Sequence, residues 1–151
     1  MIHVDIMLYI INSFDQSNNS VVHRFAQQWN CTKGTLNLIS VSANAIFSFT
    51  SQDFDFILRI TYERNKVSSK FDWRERNEQL LLGEIEYLQY LHSLGIPVNV
   101  PVKSRNNSFV EKLTNEKGIF YAVVFEKVNG KIIELGDMSE SQIFQWGKTM
   151  G

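Results

Sequence analysis

One alternating run, FDFILRIT at residues 54–61, limits how this chain can fold more than any other feature. Side chains alternate between the two faces of a β-strand. One face of this run is therefore made only of large apolar residues: Phe54, Phe56, Leu58 and Ile60. The other face carries Asp55, Ile57, Arg59 and Thr61. The run predicts a strand with one face in a core, and it leaves open whether Arg59 is solvated or faces a binding site.

The segments before this run predict an antiparallel sheet. Residues 35–42 and 45–51 have the character of strands, joined by Ala43-Asn44, and residues 51–53 form the turn into the third strand. Strands joined by connections this short pair as an antiparallel meander. A short amphipathic helix is predicted before them, because apolar residues recur there at helical spacing: Val22, Phe25 and Trp29.

A long helix is predicted from about Asp72 to Leu94, and Gly95 is expected to end it. Asp72 and Glu75 have the spacing of a capping box, in which each side chain accepts a hydrogen bond from a free backbone N–H of the first turn. Apolar residues at helical spacing form its buried stripe: Leu81, Ile85, Leu88 and Leu91. The polar residues 62–71 before this helix predict a loop.

Later residues supply the rest of the sheet. Two prolines favour extended geometry at 96–104, and residues 108–114 and 119–128 predict strands paired around a turn at 115–118. A final helix is predicted from near Ser139, with Ser139 or Asp137 as its cap. This order predicts an α+β lobe: an antiparallel sheet of about five strands, one long packed helix, and helices at the N-terminal and C-terminal ends.

Composition narrows the classes of partner and compartment. Of 151 residues, 44% are hydrophobic and 21% are charged, which allows a packed core for one domain or lobe. The net charge of −1 gives no electrostatic reason to expect nucleic acid as a partner. The apolar residues 6–11 are too few to cross a membrane, and scattered histidines with a single cysteine, Cys31, give no metal-site spacing. The unpaired cysteine fits a cytoplasmic protein.

A carboxylate lies beside the buried stripe of the long helix. Glu84 follows Leu81 by three residues and precedes Leu88 by four, which places it on the helix face that turns toward the sheet. A buried carboxylate needs a cation or water, because an unpaired buried charge is costly. Arg59 is the strand cation that could supply the positive charge. The alternative is that Glu84 lies at the edge of the stripe and is solvated.

A strand cation combined with a helix carboxylate is typical of a kinase N-terminal lobe. The segments SANAIFSF, FDFILRI, GEIEYLQYLHSLGIPVNVPV and FYAVVFEKVNGK resemble the N-terminal half of the aminoglycoside phosphotransferase and homoserine kinase-like family. These are ATP-dependent small-molecule kinases with a protein-kinase-like fold. The resemblance covers residues 20–151, and EYLQYLHSLGIPVNVPV is its most distinctive part.

The resemblance implies a nucleotide site on the polar strand face. Arg59 takes the place of the strand lysine that contacts the α- and β-phosphates of ATP, and Glu84 takes that of the helix carboxylate that orients it. Arginine stays charged and can donate two parallel hydrogen bonds to phosphate oxygens. Ile57, two residues earlier on the same face, is expected to pack against the adenine.

Two loops complete the site that the resemblance implies. Asn44 is expected over the phosphates, although no glycine-rich motif is present; the alternative is an ordinary turn residue, of a type that tolerates left-handed geometry. At a hinge ended by Asn129-Gly130, the Glu126 carbonyl and the Val128 amide are expected to bind the adenine edge. A plain strand end is the alternative there, and Phe125 could belong to the core or to the pocket wall.

The groups that complete phosphoryl transfer are not expected in this chain. In the family, an H-G-D-x-x-x-x-N loop supplies the base, and a following acidic strand holds Mg²⁺. After Gly130 this chain has only Glu134, Asp137 and Glu140, none of them in such a motif. We therefore expect no catalytic or metal-binding residue here, and Mg²⁺ only in a full-length protein.

The expected organisation is an N-terminal segment at 1–19, a kinase-like lobe at 20–128, and a hinge connector with the start of a truncated second lobe at 129–151. The expected function is the ATP-binding lobe of a phosphotransferase that acts on a hydroxyl of a small acceptor and is inactive alone. A non-catalytic kinase-fold module for protein contacts or regulation is the alternative. An isolated lobe would expose Phe144 and Trp146, and it could form a homodimer through them.

Overall fold

The computed structural model describes residues 2–16, 20–63, 77–130 and 135–150. The helices in these ranges are α1 (Ile2–Gln16), α2 (Val21–Gln28), α3 (Glu78–Ser93) and α4 (Glu140–Met150), with a 3-10 turn at Leu135–Asp137. The strands are β1 (Asn37–Val41), β2 (Ala45–Ser51), β3 (Phe54–Glu63), β4 (Pro101–Val102), β5 (Glu111–Asn115) and β6 (Gly118–Glu126). None of the helices in these ranges has the length and apolarity that a membrane crossing requires.

The strands form one antiparallel sheet in the order β1-β2-β3-β6. The short strands β4 and β5 both pair with the remaining edge of β6, β4 near its end and β5 along its first half. Two short strands therefore share the fifth position, and the expected α+β fold with about five strands is confirmed. At the opposite edge of the sheet, β1 is the outer strand, and its Leu38 and Ile39 are exposed.

The third strand is longer than its sequence pattern indicates. Tyr62 and Glu63 were expected in a loop, but they pair with Phe120 and Ile119 and belong to β3. The ring centroids of Tyr62 and Phe120 lie 5.3 Å apart, and this packing stabilises the longer strand. At the other end, Phe54 is 70% exposed, so the buried part of the apolar face begins after it.

The two faces of the sheet lie against different helices. One face holds the apolar side chains of β2, β3 and β6 and packs against α1 and α2: Phe47, Phe49, Leu58, Ile60, Phe120, Ala122 and Val124. On the opposite face Leu81 and Ile85 of α3 pack against Tyr121, Val123 and Phe125. The lobe therefore has three layers, with the face of β3 that carries Arg59 turned toward α3.

Helix α1 has no counterpart among the predicted elements. Its Ile6, Met7 and Ile10 are buried in the same core as α2, and Phe14 packs against Phe47. Ile6, Ile10 and Phe14 are four residues apart and lie on one helix face, so the sequence contained the periodicity of a helix here. No clear capping residue marks the start of this helix in the sequence, so its periodicity was the only indication of a helix.

The helix ends follow ordinary capping chemistry. Asn77 caps α3 by accepting a hydrogen bond from the Leu80 N–H at 3.0 Å, while the predicted start at Asp72 and its pairing with Glu75 lie outside the described residues. Gly95 ends this helix with a left-handed φ of 76°, as predicted. Ser139 caps α4 in a capping box with Gln142, whose Oε1 accepts from the Ser139 N–H at 2.8 Å.

Shortening a buried side chain of α1 tests whether this helix is part of the core. Ile10 is fully buried, so Ile10→Ala is expected to lower the free energy of unfolding by about 2–4 kcal/mol through lost packing. Urea denaturation followed by circular dichroism measures the change. The control is Leu8→Ala in the same helix, where the side chain is exposed and little change is expected. Equal stability of both variants would show that α1 does not pack as described.

Candidate functional site

The sheet face that carries Arg59 is organised in rows of side chains that cross three neighbouring strands. Residues paired directly across an antiparallel ladder point to the same face. The rows are Ile46–Arg59–Val123 and Ser48–Ile57–Phe125. A cation thus lies beside an apolar strip, and both face the side of the sheet on which α3 packs.

Arg59 and Glu84 form a two-pronged ion pair in the middle of this face. Arg59 Nη1 donates to Glu84 Oε1 at 2.7 Å, and Nη2 donates to Oε2 at 2.9 Å. The side chains are 18% and 31% exposed, so water and salt screen the pair only in part. Parallel charge-assisted hydrogen bonds fix the plane of the guanidinium. The predicted pairing is confirmed, and the solvated alternative for Glu84 is wrong.

Phe125 supports the guanidinium from the neighbouring row. Its ring centroid lies 5.2 Å from Arg59 Cζ, a distance at which the ring attracts a cation. Phe125 is buried in the core under α3, so it serves the core and the arginine at once. Arg59 Nε is buried, with no hydrogen-bond partner among the described residues. An anion would therefore reach Arg59 through the outward N–H groups of its Nη atoms, each of which carries two hydrogens.

Ile57 lies where the sequence pattern predicts it. It pairs with Ser48 on one side and Phe125 on the other, and it is half-buried, as is Ile46 in the next row. The two isoleucines form a partly open apolar strip next to the cation. Such a strip suits a flat apolar group that is attached to an anion.

Asn44 lies in the connection between β1 and β2, and its side chain is turned toward β3. Its Oδ1 accepts a hydrogen bond from Thr61 Oγ1 at 2.9 Å, and its carbonyl accepts one from the Ser42 N–H at 2.9 Å. Its backbone is not left-handed. Thr61 is buried on the Arg59 side of β3, which places Asn44 at the end of the same face.

Strand β6 ends at Glu126, two residues earlier than the strand predicted at 119–128. The Glu126 N–H donates to the Val100 carbonyl at 3.0 Å, and the Lys127 N–H donates to the Asp55 carbonyl at 3.1 Å. Val128 is 69% exposed, and no hydrogen bond joins its N–H to another residue that the structure describes. The strand edge beyond Glu126 therefore offers a backbone donor to a ligand.

A polar row that the sequence analysis did not predict closes the hinge end of this face. Asp55 accepts hydrogen bonds from Thr50 Oγ1 at 2.9 Å and from Lys127 Nζ at 3.1 Å. The hydrogen bond from the Lys127 ammonium, and then that from Thr50, lower the pKa of the Asp55 carboxyl. Alternation alone places Asp55 on the Arg59 face, but its pairing with Lys127 depends on the register between distant strands.

Acidic groups suited to a metal ion are absent from the part of the chain that the structure describes. No group of three or more histidine, cysteine, aspartate or glutamate side chains comes together there. Asp137, in the 3-10 turn, and Glu140, at the start of α4, are exposed. Arg59 and the apolar strip beside it have a geometry that suits an anion with an attached flat apolar group.

Removing the charge of Glu84 tests the ion pair. Glu84→Gln leaves Arg59 partly buried beside a neutral partner, so we expect a loss of about 1–2 kcal/mol in the free energy of unfolding. Chemical denaturation measures it at low and at high salt, and the loss should shrink only slightly with salt. Glu86→Gln removes an exposed carboxylate from the same helix and is the control. Equal effects of the two substitutions would contradict the shielded pair.

Comparisons with known sequences identify kinases as relatives. No protein-family model matches the chain. Amicoumacin kinase of Bacillus subtilis (strain 168) is 24% identical to it over 132 residues, which are 87% of this chain and 36% of that protein. An uncharacterized protein of Synechocystis sp. (strain ATCC 27184 / PCC 6803 / Kazusa) is 28% identical over 96 residues, which are 64% of this chain and 24% of that protein.

Solved structures with a similar fold are kinases too. An amicoumacin kinase in complex with AMP-PNP, Ca²⁺ and Ami aligns with a TM-score of 0.64 at 24% identity, over 78% of this chain and 33% of that one. A microcompartment-associated aminopropanol kinase aligns with a TM-score of 0.55 at 19% identity, over 76% and 32%. The chain spans about a third of the length of these kinases. It has the fold of a kinase-like N-terminal lobe, and it resembles small-molecule kinases of the aminoglycoside phosphotransferase type.

Proposed function

We propose that this chain is the ATP-binding N-terminal lobe of a small-molecule phosphotransferase, which transfers a phosphoryl group from ATP to a hydroxyl of a small acceptor. The observation that carries the proposal is the ion pair of Arg59 and Glu84, which holds a cation beside an apolar strip that leads to an open hinge. The similarity to kinases over about a third of their length supports it, as does the neighbour that is in complex with AMP-PNP.

The nucleotide is proposed to lie along the rows of this face. Its adenine packs on Ile57 and binds the Glu126 carbonyl and the Val128 N–H with its polar edge. Its α- and β-phosphates accept hydrogen bonds from the outward N–H groups of Arg59. Asn44 lies beyond them at the end of the face, where its side-chain amide can donate to a phosphate oxygen.

The ion pair prepares the cation before ATP arrives. The fork to Glu84 and the ring of Phe125 already set the plane of the guanidinium, so binding does not have to order a long side chain. A charged donor held in place in a partly shielded site also interacts more strongly with phosphate than one in open water. These two effects give Arg59 its proposed role in positioning ATP.

The chemistry itself is proposed to need a second lobe. The base for the acceptor hydroxyl and the carboxylates that hold Mg²⁺ are assigned to that lobe, because the described residues offer no acidic group that fits a metal. The proposed organisation of the chain is an N-terminal segment at 1–19, the nucleotide lobe at 20–128 and the connector at 129–151. The single cysteine supports a cytoplasmic location.

Nucleotide titration tests the proposal. We compare the chain with an Arg59→Met/Glu84→Gln variant, which removes the cation without leaving a lone carboxylate. Loss of a charge-assisted contact should weaken AMP-PNP binding about tenfold or more and leave adenosine binding unchanged. Isothermal titration calorimetry measures both ligands, and Arg24→Met on the exposed side of α2 is the control.

Two results would contradict it. An equal loss of adenosine binding would mean that the variant damages the fold and that Arg59 is not a phosphate ligand. A chain that is folded but binds neither ligand would favour the second candidate, a kinase-fold module that acts through protein contacts.

We also propose that this chain forms a homodimer through α4. Each described side chain of this helix is exposed, and the large apolar ones are Ile143 at 45%, Phe144 at 69% and Trp146 at 54%. An apolar patch of this kind on a soluble lobe favours association.

Light scattering measures this association. The chain is expected to be dimeric at about 100 µM, in the micromolar range typical of weak interfaces, and Phe144→Ser/Trp146→Ser is expected to be monomeric at the same concentration. The control is Tyr87→Ser/Tyr90→Ser, which removes exposed aromatic rings from α3. A clean monomer of the unmodified chain would refute the dimer, and dissociation by the α3 substitutions would place the contact elsewhere.

A further inference from the structure

The chain leaves β3 at Glu63 and enters α3 at Glu78, and both residues approach the same pair of side chains. Tyr121 of β6 and Lys112 of β5 are directly opposite each other in the ladder, so they point to the same face. Tyr121 contacts the end of β3, and Lys112 contacts the start of α3. The two side chains therefore connect the strand that carries Arg59 with the helix that carries Glu84.

Tyr121 makes the buried half of this connection. It is 2% exposed, and its hydroxyl donates a hydrogen bond to Glu63 Oε2. Burial raises the pKa of the phenol, and the Glu63 carboxylate and the charge of Glu78 raise it further, while the Glu78 backbone lowers it. The phenol therefore remains a proton donor at neutral pH, between the end of β3 and the first turn of α3.

Lys112 makes the exposed half. Its ammonium lies 5.6 Å from the centroid of the Tyr121 ring and 3.5 Å from Glu78 Oε2. The cation thus contacts the ring face and a carboxylate in the first turn of α3 at the same time. An acidic residue is also favourable at that place, because the helix dipole is positive at its N-terminal end.

The position of α3 decides whether Glu84 reaches Arg59. Leu81 and Ile85 pack the helix on the sheet, but apolar packing alone tolerates small rotations and shifts along the axis. Hydrogen bonds of 2.7 and 2.9 Å between Glu84 and Arg59 do not tolerate them. The ion pair of Lys112 with Glu78, less than two turns before Glu84, limits that freedom.

We propose that Tyr121 and Lys112 are positioning residues that connect the end of β3 to the start of α3 and so hold Glu84 in place against Arg59. Their effect on ATP rests on the proposed function, because it is exerted through Arg59. Their effect on the helix does not depend on any ligand. The sequence analysis singled out neither residue.

The test uses the whole chain with Tyr121→Phe, Lys112→Met and both together. Tyr121→Phe keeps the ring and removes only the hydroxyl, so the fold is retained. The matched control is Tyr62→Phe with Lys103→Met. Tyr62 donates to the Lys117 carbonyl at 3.2 Å from the opposite face, and Lys103 lies 5.2 Å from the Phe109 ring centroid on another loop.

The first measurement needs no nucleotide. In the double variant, hydrogen exchange of the backbone amides at residues 81–88 is expected to accelerate about fivefold relative to the control, because the helix has lost its ion pair with Lys112 and the Tyr121 ring that packs on it has lost its hydrogen bond to Glu63. The NMR signals of the Arg59 guanidinium are expected to shift as the fork to Glu84 loosens. Unchanged exchange and unchanged Arg59 signals would overturn the inference, as would equal changes in the control variant.

The second measurement separates this inference from the proposed function. The double variant is expected to bind AMP-PNP about threefold to tenfold more weakly and adenosine within about twofold of the unmodified chain, since only the phosphate ligand is displaced. Equal losses for both ligands would overturn the positioning role. If the unmodified chain binds no nucleotide, the proposed function fails, and the exchange and NMR measurements still decide whether Tyr121 and Lys112 position α3.

Discussion

The ion pair between Arg59 and Glu84 joins the sheet to the helix that packs on it. A helix and a sheet could pack through Leu81 and Ile85 alone, but the result would tolerate many orientations. A guanidinium and a carboxylate with parallel hydrogen bonds select one of them. A shielded pair adds little net stability, because desolvation offsets much of its attraction, so its main contribution is geometric.

Alternation along β3 is what allows one strand to serve a core and a site at once. Leu58 and Ile60 belong to the core under α1 and α2, whereas Ile57 and Arg59 face α3. Helices α1 and α2 complete the core on the face of Leu58 and Ile60, which leaves the face of Arg59 to α3. The site can therefore stay partly open on a well-packed sheet, which is the arrangement that precise positioning of charged groups requires.

Short-range patterns predicted the strands and the end of α3 at Gly95, because alternation, helical spacing and capping are local properties. They left the pairing of Glu84 with Arg59 open, and the resemblance to a kinase family implied it. Helix α1 escaped prediction although its four-residue spacing was visible. The contacts of Asp55 with Lys127 and of Tyr121 with Glu63 could not be found in this way. They depend on the register between β3 and β6, which many residues separate, and no local pattern in either strand specifies that register.

The two edges of the sheet differ in how well they are protected against pairing with a strand of another molecule. One edge is divided between two short strands, β4 and β5, and Glu111 and Lys112 place charges on it. The outer strand β1 has neither charge nor proline, and only an irregularity between Leu38 and Ser40 interrupts its ladder. Natural sheets use charges, prolines and bulges to prevent unwanted strand addition. Among the described strands β1 therefore forms the less protected edge, because this irregularity is the one such device that it has.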